Sequence, residues 1–376
     1  MIDGFATAEG TANFAINSVA DPKNFRRFNG LTLSNVGVGT YLGEPNSETD
    51  TLVKSAVKQS ILAGINVIDT AINYRAQKAE RSVGTALAEL INDGKFHRNE
   101  IFVSTKNGYV TNDADIKEDF WQYVNREYVK SGVISADDIS SGYHCMTVPY
   151  LEDQLNRSLK NLGLECIDLI YLHNAVEGQI KDVSREDFMK KLESVFSFYE
   201  QKKKEGKIRF YGMATWECYR VPPDDPQYLS LNETITLAKK VGGENHGFRF
   251  IQLPFNMYLD QAFMIKNQDS NGEQISILDA TTKHNIGVFT SVPLMQGKLL
   301  APGVMPEFDN LKPSIRALQF IRSTPGVLAP LVGHKSEPHV NENLEIMKIP
   351  PMGQEQFSEL IKKLTSKDNN LVKFSN

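Results

Sequence analysis

Cysteine is scarce. Only Cys145, Cys166 and Cys218 occur, widely spaced and with no Cys-x-x-Cys. That excludes a disulfide framework and fits a reducing compartment, so a cytoplasmic location is expected. No stretch approaches the roughly 20 consecutive apolar residues of a membrane helix. The opening residues, MIDGFATAEG, have neither a basic start nor a continuous apolar core, so no secretory leader is expected. Positive charge is not in excess: 41 Lys and Arg stand against 46 Asp and Glu, a net charge of −5. Nothing in that balance suggests a nucleic-acid or membrane partner. The histidines are scattered (His97, His144, His173, His246, His284, His334, His339) with no His-x-His at a strand end, so no metal site is expected. There is also no Gly-x-Gly-x-x-Gly after the first strand. Gly37-Val-Gly39 lies within that strand, which argues against a dinucleotide-binding Rossmann domain. No internal repeat and no clear linker divides the chain.

What is present is an alternation of apolar β-branched runs with helical periodicity. Residues 1–27 read as an extended arm. Arg27–Ser34 reads as a hairpin turning at Asn29-Gly30, and Val36–Thr40 as strand one. A helix over Ser47–Ala63 carries Val53, Ala56, Val57, Ile61 and Leu62 on one face. Strand two ends on Asp69, a helix spans Ala79–Asn92, and strand three spans Ile101–Thr105. Regularity then stops. Residues 107–149 are polar and aromatic, too long for an ordinary loop, and read as a lid or substrate-loop insertion. Helix and strand alternate again: Leu151–Leu162, strand four Ile167–Leu172, Arg185–Glu205, strand five Ile208–Met213, Leu229–Val241, strand six Phe248–Leu253. The sequence continues with Ile275–His284, strand seven Val288–Ser291, Ser314–Arg322, strand eight Val327–Val332, a short helix Val340–Met347, and a last helix Gly353–Leu364 before a polar tail. The expectation is α/β: one (β/α)8 barrel domain over 1–376, with a long insertion after strand three.

Three strand ends carry chemistry. Strand two ends on Asp69, with Tyr74 just beyond; strand three runs into Lys106; strand four runs into His173. In such barrels the C-terminal ends of the strands face the site. The Tyr74 phenol, of reference pKa about 10, becomes a better proton donor beside an ammonium. Lys106 supplies that charge, Asp69 holds Lys106 charged, and His173 orients a carbonyl oxygen. Trp121, Tyr123, Tyr143, His144 and Trp216 are candidates for an aromatic pocket wall.

These motifs resemble the aldo-keto reductase family over about residues 29–347. Asn35-Val-Gly-Val-Gly-Thr40 is similar to its first strand, and Asp69-Thr-Ala-Ile-Asn-Tyr74 to its Asp-Thr-Ala-x-x-Tyr. Ser104-Thr-Lys106 resembles its lysine strand, and Leu164–His173 its histidine strand. Pro293–Gly297 resembles the loop after strand seven, and Val332–Asn343 the segment that grips adenosine. The resemblance implies reduction of an aldehyde or ketone by hydride from a nicotinamide cofactor bound without a Rossmann fold. Tyr74 is then the acid, Lys106 and Asp69 tune it, and His173 positions the substrate. It implies a nicotinamide pocket at Gly39, Thr40 and Tyr41, and a carboxamide contact at Gln252. Leu294, Gln296, Gly297 and Lys298 are implied to wrap the pyrophosphate, and Glu342 and Asn343 to contact adenine.

Three positions depart from the family pattern. Ala214-Thr215 replaces Ser-Asn, so the second carboxamide contact is either kept by Thr215 or lost. Ser291 stands where an aromatic ring usually stacks. In the Gly333 segment Lys335 and His339 are the candidates to meet a 2′-phosphate, weaker than an arginine fork. NADP(H) is favoured and NAD(H) stays open. The departures also support a second reading, a cofactor-binding regulatory or subunit protein with little turnover. Substrate identity, direction and oligomeric state are not legible.

Overall fold

The barrel follows from parity along the strands. The computed structural model describes residues 1–365, so the polar tail, residues 366–376, lies outside the described residues. Eight parallel strands close on themselves: β1 Gly37–Gly39, β2 Val67–Asp69, β3 Phe102–Asn107, β4 Ile167–His173, β5 Ile208–Ala214, β6 Phe248–Pro254, β7 Gly287–Ser291 and β8 Val327–Gly333. Each pairs with its chain neighbour, and β8 returns to β1 through Leu331↔Gly37 and Gly333↔Gly39. Successive strand residues face opposite sides. Val67, Phe102, Leu169, Phe250, Phe289 and Leu331 belong to one inner apolar cluster. Two or four residues further on, the same parity delivers Asp69, Lys106, His173, Gln252, Ser291 and Gly333. The interior thus changes from apolar to polar toward the C-terminal mouth.

Helices pack outside, and several loops from the mouth end on a capping side chain. Asn46 accepts from Thr49 N, Ser184 from Asp187 N, Ser230 from Glu233 N and Ser276 from Asp279 N. Each satisfies an orphan donor of the first helical turn. The capped helices are Ser47–Leu62, Arg185–Lys204, Leu231–Gly242 and Ile277–Lys283.

The opposite end is closed by the N-terminal segment, and here the expected extended arm is corrected. Residues Ala8–Asn17 form a helix capped by Thr7, followed by a 3-10 turn Pro22–Asn24. Gly10 permits it: a Cβ there would lie 2.3 Å from Asn99 O, so only glycine lets this helix sit on the turn Arg98–Glu100. Tertiary contact, not propensity, forms it. The floor hairpin Phe25–Phe28/Leu31–Ser34 turns at Asn29-Gly30, with φ 46° and 78°. A second hairpin, Lys266–Ser270/Glu273–Ser276, occupies the start of the helix expected from Ile275.

Residues 107–149 build a separate small core with Tyr150 of the following helix, centred on Val110, Tyr123, Val124, Tyr128, Ile134 and Cys145. Helix Phe120–Val124 runs into a π-turn, Asn125–Val129. Near its start this segment is fastened to the barrel by ion pairs: Lys78 with Asp115 (2.8 Å), and Arg81 with Asp113 (2.6 Å) and Asp115.

Candidate active site

Asp69, Tyr74, Lys106 and His173 converge at the barrel mouth. Lys106 Nζ donates to Asp69 Oδ2 at 2.5 Å and to Thr70 O at 2.8 Å, while Ser104 Oγ donates to Asp69 Oδ1 at 2.8 Å. Nζ lies 4.7 Å from the Tyr74 ring centroid. The Tyr74 ring meets His173 edge-on at 5.8 Å and Tyr41 at 5.0 Å.

Electrostatics follow from burial first. Burial pushes the Tyr74 phenol up; the Lys106 charge pulls it back and Asp69 pushes it up again, and the net direction is up. The Lys106 ammonium alone therefore does not set the direction. Burial disfavours the Lys106 cation, but Asp69 and Tyr74 outweigh it and raise its pKa. Burial, then Lys106 and His144, hold His173 well below the usual histidine range, so its ring is neutral. His173 Nδ1 is buried without a partner, leaving Nε2 as the nitrogen toward the cavity.

A cavity of about 930 Å³ runs from this cluster along the mouth. Gly39, Thr40, Tyr41, Thr215, Gln252 and Ser291 line the end near Tyr74. Leu294, Gln296, Gly297, Gly333, Lys335, His339, Glu342 and Asn343 line the rest, and Lys298 is outside the lining. Thr215 Oγ1 is buried with no partner. Gln252 Nε2 is 3.3 Å from Asp69 Oδ2. No aromatic ring replaces Ser291; Val292 and Pro293 follow it along the wall. In the turn expected to wrap a pyrophosphate, the amides of Met295 and Gly297 donate within the turn, to Val292 O and Leu294 O. Glu342 accepts from Ser314 Oγ at 2.5 Å.

Sequence reasoning did not single out Asn73, Tyr109, Asn174, His334 and Ser336, which also line the cavity. Asn73 and Asn174 sit inside or beside the two motifs and were within reach. Tyr109 and Ser336 carry no local signal. Of the five aromatic candidates only Trp216 lines this cavity. Trp121 and Tyr143 line a separate groove on the insertion, and Tyr123 and His144 are buried. Among the described residues there is no cluster of ligand side chains able to hold a metal ion, and no helix is long and apolar enough to cross a membrane.

Comparison with known proteins gives consistent matches. The model of the family described as "Aldo/keto reductase family" matches residues 35–306. A putative voltage-gated potassium channel subunit beta of Schizosaccharomyces pombe is 27% identical over 215 residues, which are 57% of this chain and 50% of that protein. The uncharacterized oxidoreductase YtbE of Bacillus subtilis is 25% identical over 279 residues, 74% of this chain and 70% of that protein. The first of these matches therefore spans only half of the relative's length. An aldo/keto reductase from Klebsiella pneumoniae, solved in complex with NADP and acetate, superposes with a TM-score of 0.58 at 19% identity, covering 94% of this chain and 99% of that one.

Proposed function

The chain belongs to the aldo/keto reductase family, and from that premise we propose that it is an oxidoreductase reducing a neutral aldehyde or ketone to the alcohol, with Tyr74 as proton donor. The observation that carries the reading is the buried Asp69–Lys106 pair set under the Tyr74 ring at the head of a long cavity. A reduced nicotinamide cofactor, NADPH favoured and NADH open, supplies the hydride when bound. The cavity fits such a group: Thr215 Oγ1 near Tyr74 and Ser336 Oγ at the far end are both buried without partners. Thr215 and Gln252 would hold the carboxamide, and Lys335 and His339 a 2′-phosphate. The Klebsiella relative was solved with NADP, which supports the same preference.

The residues act in sequence on the carbonyl oxygen. Burial keeps the phenol protonated and the His173 imidazole neutral at neutral pH. His173 Nε2–H donates a hydrogen bond to the oxygen and orients it. As negative charge develops there, the Tyr74 proton moves to it, and the Lys106 ammonium stabilises the phenolate left behind. The walls beside Tyr74 (Tyr41, Asn73, Tyr109, Asn174, Trp216) carry no charge, which favours a neutral substrate.

Tyr74→Phe should lower turnover of benzaldehyde by about 10²- to 10⁴-fold. NADPH affinity, read by fluorescence titration, should stay within about twofold. Substantial turnover in this variant would sink the proposal. Two observations favour a second reading, a regulatory or subunit protein: the net upward shift of Tyr74 makes it a weak acid, and one relative is named as a channel subunit. That reading expects nucleotide binding with negligible turnover across a panel of aldehydes.

A further inference from the structure

His144, far from the barrel strands in sequence, is buried against the end of β4. Its Nε2 lies 2.8 Å from His173 O, and its Nδ1 lies 3.1 Å from Gln179 Nε2. A carbonyl only accepts and an amide nitrogen only donates, so Nε2 carries the proton and Nδ1 the lone pair. Burial pushes this imidazole down to about 4, so that neutral tautomer persists at neutral pH. Gln179 Nε2 is itself held by His144 O at 3.1 Å.

Three glycines clear the space. A Cβ on Gly108 would lie 2.4 Å from His144 Nε2, and one on Gly178 would lie 2.7 Å from His144 Cβ. A Cβ on Gly142 would lie 2.9 Å from Gly178 O. Backbone just past β3 and from helix Ala175–Gln179 thus closes directly on His144, and the insertion's Gly142 packs on that helix.

The reason is visible in the sheet. The β3–β4 ladder ends at Asn107↔Leu172, and Gly108 N turns away to Gln154 Oε1 at 2.8 Å. His144 Nε2–H takes over at the carbonyl of the next β4 residue. That residue is His173, whose buried Nδ1 has no partner. A functional histidine is commonly oriented through its second nitrogen. Here Nδ1 supplies no such hydrogen bond and the ring packs edge-on against Tyr109 (5.0 Å) and Tyr74 (5.8 Å), so its backbone anchor matters more.

We propose that His144 is a positioning residue for carbonyl reduction: its hydrogen bond to His173 O fixes where His173 Nε2 meets the substrate oxygen, and makes the insertion a brace of the catalytic strand. This rests on the reading that His173 orients that oxygen. Two amides separate the bond from the bulk. His144→Gln puts a donor near the place of Nε2, whereas His144→Asn reaches only the place of Nδ1. With NADPH and benzaldehyde, the Asn variant should lose about 10- to 100-fold in kcat, the scale of a misplacement near 1 Å. The Gln variant should recover most of it. The deuterium isotope effect with reduced nicotinamide labelled at C4 should rise in Asn and return in Gln, with NADPH Kd unchanged within about twofold. Equal kcat in the two variants, or losses that track Tm with no change in isotope effect, would overturn the proposal. Tyr74→Phe run in parallel separates the failures. If it keeps turnover, the underlying reading falls and this inference with it; if it loses turnover while Gln and Asn match, only the inference falls.

Discussion

The two ends of the barrel each bury a carboxylate–cation pair, and use it differently. At the floor, Asp168 accepts from Arg98 Nη2 at 2.7 Å, Ala6 N at 2.7 Å and Val103 N at 2.9 Å. Arg98 also donates to Ile101 O and Cys166 O. The Asp168 carboxylate is thus saturated and capped by the N-terminal segment, with only Arg98 Nε of the pair left without a partner. At the mouth, Asp69 and Lys106 are just as buried, but the groups around them are not saturated: His173 Nδ1, Asn73 Oδ1 and Thr215 Oγ1 lack partners. Backbone conformation leans the same way. At the floor the left-handed turns fall on Gly64, Gly94, Gly163 and Gly206 and on two asparagines, Asn29 and Asn285, which tolerate positive φ, whereas at the mouth Arg75, Ala76, Gln77, Val292, Met295 and Gln296, as well as Asn174, adopt it. One end is built to be stable. The other holds unpaired polar groups and strain where function is expected.

Breaking the mouth pair should have the largest effect. In Asp69→Asn/Lys106→Met the charges leave together, so no buried ion is stranded and Tm should move by only about 3 °C. Turnover should fall by about 10³-fold or more, because Tyr74 loses the cation that stabilises its phenolate. Steady-state kinetics beside a thermal melt measures both. A melt that collapsed with turnover would mean the mouth pair is structural after all.

Arg98→Met tests the floor. It strands the Asp168 carboxylate, at a cost of about 3–5 kcal/mol, so Tm should drop by roughly 10 °C. The kcat at 25 °C should stay within about twofold. A loss of kcat without a loss of Tm would erase the contrast between the ends.

The division also explains what could be read from the chain. Inward parity is a local property, so the apolar run ending on Asp69, Lys106 or His173 announced both the strand and the chemistry. Asn29-Gly30 announced its hairpin because both residues tolerate positive φ. The helix Ala8–Asn17 was not legible, since it depends on Gly10 meeting Asn99 across the floor. The hairpin at Asn271-Gly272 carries the same turn signal, but its polar strands lack the apolar alternation that marks the first. The bond from His144 to His173 spans 29 residues and follows from where β3 leaves the ladder, which no spacing encodes. Nor does any residue type announce the left-handed run after Tyr74.

That run yields the smallest prediction and the sharpest test of whether mouth strain has a use. Arg75, Ala76 and Gln77 have φ of 51°, 49° and 75°. The outer two are held by side chains: Arg75 donates to Asp50 at 2.7 Å and Ser82 at 2.9 Å, and Gln77 to Asn112 O at 3.1 Å. Ala76 has no such side-chain hold, only backbone bonds from its N–H to Asn73 O at 3.3 Å and from Ala114 N to its carbonyl at 3.2 Å, and its left-handed conformation costs about 1–2 kcal/mol. Ala76→Gly removes that term but loosens the unfolded chain, and the net gain should be about 0.5–1 kcal/mol, or some 2 °C in Tm. If kcat falls while Tm rises, the strain holds Tyr74 in place and the mouth trades stability for geometry. If Tm rises with kcat unchanged, the strain is merely tolerated. If Tm falls, the left-handed turn is not strained at Ala76, and the conformational half of the contrast between the ends fails.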